Sequence, residues 1–145
     1  MDGHHDSSTR PARRAFTLIE LIAIIVILAI LAGVGIPKYI DYTVSAKSAA
    51  AKATLGAVRT AIANFYANSA LVGTTAYPTL VELQTLGTVM QEPLPSNPYN
   101  NSNTIAAATW AATPPTSGAA GFNYDATIGR FWLNSNTASV TENLW

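Results

Sequence analysis

Two hydrophobic patterns divide the first half of the chain. The stretch "RRAFTLIELIAIIVILAILAGVGIP" runs from Arg13 to Pro37, and from Leu21 to Ile36 it holds no charged residue. From Lys38 to about Asn68 the apolar residues narrow to one stripe. Val44, Ala51, Leu55, Val58, Ile62 and Phe65 recur at spacings of three, four or seven, while Lys47, Lys52 and Arg59 fall off the stripe. That spacing is one face of an amphipathic helix. Together the two stretches predict a helix from Phe16 to about Asn68, about 80 Å long if unbroken. Gly33, Gly35 and Pro37 predict a break or bend near Ala32–Lys38, because proline lacks an N–H and crowds the preceding turn while glycine weakens it.

Punctuation dominates the second half. Thr79 and Glu82 form a T-x-x-E capping box that opens a short helix, with Gly87 as its stop. "EPLPSNPYNNSN" and "TPPTSGAAG" read as loops, and "TIAAATWAA" between them is open between helix and strand. "GFNY" and "RFWLN" read as a hairpin turning through Asp125 to Gly129. Strands this short need a partner layer, which the stripe can supply. The expected fold class is α+β: a long N-terminal α-helix, apolar at first, with a small antiparallel β-sheet head packed on its distal half. The expected divisions are residues 1–15, a polar leader; 16–37, the apolar helix; and 38–145, the head. Within the head they are the helix at 38–68, a loop and short helix at 69–87, and a β-region at 88–145.

The apolar run of about 21 residues would span about 30 Å as a helix, the thickness of a bilayer core. By hydropathy alone it reads as a signal peptide or a plain anchor. Arg10, Arg13 and Arg14 precede it and put the N-terminus in the cytoplasm. Glu20 stands near the leading end of this run, where a plain anchor gains nothing from a carboxylate. The chain of 145 residues carries 8 basic and 8 acidic side chains and no cysteine. Zero net charge gives no broad attraction to nucleic acid, and the lack of cysteine excludes disulfides and thiolate metal sites.

The segment Phe16–Tyr42, "FTLIELIAIIVILAILAGVGIPKYIDY", resembles the N-terminal region of type IV pilins and of the pseudopilins of type II secretion. The resemblance implies a class III prepilin leader cut between Ala15 and Phe16 by an inner-membrane prepilin peptidase, which then methylates the Phe16 amine. Ala15 departs from the family's usual glycine. The resemblance further implies that Glu20, fifth from the cut, meets the Phe16 amine of a neighbouring subunit during assembly, and that Pro37, Tyr39 and Tyr42 hold family positions. It implies a single-pass inner-membrane protein, extracted by an inner-membrane assembly platform into a cell-surface or periplasmic homo-oligomeric filament. The cysteine pair of many major pilins is missing, so the C-terminal region must rely on packing.

His4 and His5 both lie in the leader, so a chain starting at Phe16 has no histidine and no cysteine. No catalytic residue, cofactor or metal is expected. Asp41, Glu82, Glu92, Asp125 and Glu142 are scattered, and the calcium site that the resemblance implies for some pseudopilins is not expected here. Of Phe131 and Trp132, adjacent on a strand, one should face the core and the other an interface. "NNS" at Asn100 matches a glycosylation sequon. The expected function is therefore a structural filament subunit. The alternatives are a type II secretion pseudopilin and, more distantly, a monomeric membrane-anchored periplasmic binding domain.

Overall fold

The computed structural model describes residues 16–145. The elements are α1 (Leu18–Leu71), α2 (Leu80–Gln84), β1 (Ile105–Ala107), β2 (Phe122–Asp125), β3 (Arg130–Leu133) and a 3-10 turn at Glu142–Leu144. The chain divides into two compact units, the first ending at Asp41 and the second running from Tyr42 to Trp145. Helix α1 contributes to both.

In the first unit every residue from Phe16 to Ile36 is exposed. The segment is long and apolar enough to cross a membrane. Helical structure continues through Gly33, Gly35 and Pro37, so the expected interruption is not a gap in the helix. Pro37 has no N–H to give the carbonyl of Gly33, four residues earlier, so one rung of the ladder is missing there.

In the second unit the stripe of α1 buries Ala51, Leu55, Val58 and Ile62. Val44 is 51% exposed, so cover over the stripe begins only beyond it. The buried stripe packs with Leu83 of α2 and with Ile105, Phe122, Tyr124, Phe131 and Leu133 of the sheet. Each large side chain in that set contributes on the order of 1.5–3 kcal/mol relative to exposure. Alternation along the strands explains the set. Phe122 pairs with Leu133 and Tyr124 with Phe131, which puts all four on the α1 side. Phe122 and Phe131 stack at 5.2 Å between centroids. The Tyr124 hydroxyl donates to the Pro78 carbonyl at 2.7 Å and ties β2 to the chain entering α2.

The order is β1-β2-β3. Strands β2 and β3 form the expected hairpin, but β1 runs parallel to β2, in register from Ile105 opposite Phe122 to Ala107 opposite Tyr124. The sheet is therefore mixed rather than purely antiparallel. A parallel neighbour needs a crossover, and here it is the chain from 108 to 121. That segment covers the second face of the sheet. Asn123, Trp132 and Asn134 point into it, and all three are buried. Trp132 Nε1 and Asn123 Nδ2 both donate to the Pro115 carbonyl, at 3.1 and 2.8 Å. Phe131 and Trp132 are thus both core residues, one on each face, and the expectation that one serves an interface is corrected.

Asparagine amides hold this crossover. Asn134 Oδ1 accepts from the Ser117 N–H and from Asn123 Nδ2, and Asn134 Nδ2 donates to the carbonyls of Ser117 and Ala120. Asn97 Nδ2 donates to the Gly121 carbonyl at 2.8 Å. Asn100 Nδ2 donates to the carbonyls of Ala120 and Asn134, so the nitrogen of the sequon is already engaged in the folded head.

Candidate functional site

The N-terminal turn of α1 sets the site. Thr17 stands at the N-cap position, where its own φ/ψ lie outside the helix and the following N–H groups lack intrahelical acceptors. Its hydroxyl accepts from the Glu20 N–H at 3.3 Å. The Glu20 carboxylate reaches back, and its Oε2 accepts both the Thr17 N–H and the Thr17 hydroxyl at 2.8 Å. This is a complete capping box. Thr79 and Glu82 close the same box at α2 with the same three distances. The sequence reading found the box at Thr79 and missed the one at Thr17, although "TLIE" and "TLVE" carry the same signature.

The arrangement fixes a carboxylate at the end of an apolar helix. Both bonds from Thr17 fall on Oε2, which leaves Oε1 for an additional donor. A charge at the centre of a bilayer costs about 2.5–3.5 kcal/mol on insertion scales and less near an end. Satisfying Oε2 locally reduces that cost and aligns the negative group with the positive N-terminal end of α1.

The other expected site residues fall as follows. Phe16 directly precedes the capping turn and is exposed. Ala15 and the leader at 1–15 lie outside the described residues. A Cβ added at Gly33 or Gly35 would meet no atom within 4 Å, so neither glycine is required by packing within this chain. Among the described residues no group of three or more histidine, cysteine, aspartate or glutamate side chains could hold a metal ion.

The carboxylates of the head have structural partners. Asp125 Oδ2 accepts the Trp110 N–H at 2.8 Å, and Oδ1 accepts the N–H and hydroxyl of Thr127. The Thr127 hydroxyl, foremost among these bonds, holds the Asp125 carboxyl below its usual range. Glu142 is fully buried and binds Thr137 through both oxygens. Burial pushes its carboxyl up, but the hydrogen bonds from Thr137 prevail and hold it below its ordinary value. Trp110 carries the Arg130 guanidinium over its ring at 5.1 Å and the Trp132 edge at 5.2 Å, so its indole is engaged within the head.

Comparison with known proteins points to the same turn. Residues 10–36 match the family described as the prokaryotic N-terminal methylation motif. The chain is 40% identical over 60 residues to the type IV major pilin protein PilA of Myxococcus xanthus, a match covering 41% of this chain and 27% of that protein. It is 46% identical over 50 residues to the type IV narrow pilus major component PilA5 of Thermus thermophilus, covering 34% of this chain and 43% of that one. The matches thus span less than half the length of either relative. No solved structure matches the chain. The chain thus carries the prokaryotic N-terminal methylation motif at residues 10–36 and, over part of its length, is similar to type IV pilins.

Proposed function

We propose that the chain is a structural subunit of a helical filament and carries out no catalysis. It is made as a prepilin, cut between Ala15 and Phe16 and methylated on the Phe16 amine by a prepilin peptidase. It waits in the inner membrane with its N-terminus in the cytoplasm until an assembly platform extracts it. The single observation that carries this reading is the Thr17–Glu20 turn at the head of a fully exposed apolar helix. An exposed greasy helix needs cover from lipid or from other copies, and in a filament the helices of many copies supply it. Cutting before Phe16 creates a cation four residues from Glu20. In an apolar filament core each charge is costly alone and tolerable when paired. Pairing Glu20 Oε1 with the Phe16 amine of an adjacent subunit penalises wrong axial offsets, which would bury two unpaired charges. Both named relatives are pilus components, which favours a pilus over a secretion pseudopilus.

Two variants separate the charge from the cap. Glu20→Ala removes both. Glu20→Gln keeps an oxygen that accepts from Thr17, since glutamine also closes a capping box, but it removes the charge. Both variants should insert, be cleaved and accumulate normally, and both should give few or no filaments by electron microscopy. Abundant, normally ordered filaments from Glu20→Ala would defeat the filament role of Glu20. Normal filaments from Glu20→Gln alone would reduce that role to capping.

A further inference from the structure

The head presents a rigid apolar corner and, elsewhere on its surface, a preformed apolar groove. The corner is the end of α1, where Leu71 is 85% and Val72 79% exposed. It is held rather than frayed. The Gly73 N–H donates to the Ala70 carbonyl and the Thr74 N–H to the Ser69 carbonyl, with Gly73 left-handed at φ 83°, the pattern of a Schellman cap. The Ser69 hydroxyl then exchanges hydrogen bonds with both backbone groups of Ala76, which locks the chain leaving the corner. A monomer gains nothing from ordering two large apolar side chains in water.

The groove runs between α1 and the 88–95 segment. It has a volume of about 430 Å³, and Ala57, Val58, Ala61, Val89, Met90 and Leu94 line it. Its outer wall is also fixed: the Gly87 N–H donates to the Met90 carbonyl at 2.8 Å, and Pro93 and Pro95 restrict the chain beyond. Charge does not oppose the contact on either side. No charged residue lies between Arg59 and Glu82, and Glu92 is the single charged residue lining the groove.

We propose that Leu71 and Val72 of one copy seat in the 57–61/89–94 groove of a second copy. The inference rests on the filament reading above and assigns it a contact between heads. Corner and groove are different patches, so the contact is heterologous. Such contacts propagate into open helical arrays where the rotation does not close, instead of ending at a dimer. The corner lies about 12 residues beyond the middle of the groove on α1, about 18 Å along the helix. Copies pointing the same way are therefore offset by roughly that distance where the two features meet.

The chain has no cysteine, so introduced thiols report alone. The test uses the full-length chain with Leu71→Cys and Ala57→Cys combined, oxidised with copper phenanthroline on intact cells and in isolated filaments. The two positions are 14 residues apart on one helix, about 21 Å, so no disulfide can close within a subunit. The double variant should give a ladder of trimers and higher species on non-reducing gels, and each single variant at most dimers. Filaments without a ladder would overturn this contact and leave the filament reading standing. A ladder from membranes of cells without filaments would sustain the contact and remove the filament reading. Neither filaments nor a ladder would remove both.

Discussion

Asn134→Asp exchanges one NH2 for one oxygen, and the structure gives its consequence a sign and a size. Asn134 is 4% exposed. Its Oδ1 accepts from the Ser117 N–H at 2.8 Å and from Asn123 Nδ2 at 3.0 Å, and a carboxylate oxygen can keep both. Its Nδ2 donates to the carbonyls of Ser117 and Ala120 at 2.8 and 2.9 Å, and there the variant sets oxygen against oxygen. Two hydrogen bonds are lost, about 0.5–1.5 kcal/mol each. Leaving a buried charge uncompensated costs about 3–5 kcal/mol, part of which the donors kept on Oδ1 offset. A total near 4 kcal/mol is a large fraction of the roughly 5–15 kcal/mol that holds a domain together. For a head of about 100 residues it lowers Tm by at least about 15 °C. The pH dependence follows from the same geometry. Protonation lets the new carboxyl donate to one of the two carbonyls, so its folded pKa rises above the unfolded value of about 3.9. The deficit relative to wild type is then greatest above the folded pKa and shrinks as pH falls towards the unfolded value. Thermal melts followed by near-UV circular dichroism of the buried Trp132, at pH 7.5 and pH 4.5, measure both effects. Asn136→Asp, at an exposed position, controls for net charge. A Tm shift below about 4 °C at pH 7.5, or a deficit equal at the two pH values, would refute the role given to the Asn134 amide.

Two further outcomes follow from single contacts. Gly129 ends the hairpin turn at φ 66°, and a Cβ there would lie 2.3 Å from Tyr77 Cδ1, so Gly129→Ala should destabilise the head by about 2–3 kcal/mol in a urea melt. Acid should unfold the head partly through Glu142: its folded pKa is depressed, so its contribution is present above the unfolded value of about 4.3 and lost as pH falls through the lower folded value. Glu142→Gln should therefore flatten the decline of Tm between about pH 5 and pH 2, and an unchanged slope would contradict the assignment.

The parts of this fold legible in the sequence were those whose cause is local. The stripe from Ala51 to Ile62 and the Thr79–Glu82 box are set by spacing within a few residues, and both stand as read. The "TLIE" box at Thr17 is equally local, but it lies inside an uninterrupted apolar run, where spacing alone does not mark Thr17 as the position at which the helix starts. Strand β1 was a different matter. Ile105–Ala107 has little strand character of its own and becomes a strand through the parallel edge of β2, about 17 residues on in the chain. The second face of the sheet was the least visible. A loop rich in proline, threonine and alanine normally runs through solvent, since buried backbone needs partners. Here Asn97, Asn100, Asn123 and Asn134 supply those partners, and the loop becomes a layer. Once that layer exists, alternation along β3 no longer sorts residues into inside and outside. Phe131 faces α1, Trp132 faces the crossover, and both are buried. In a head without disulfides the second layer therefore depends on amides, which makes its asparagines the positions where one atom changes stability most.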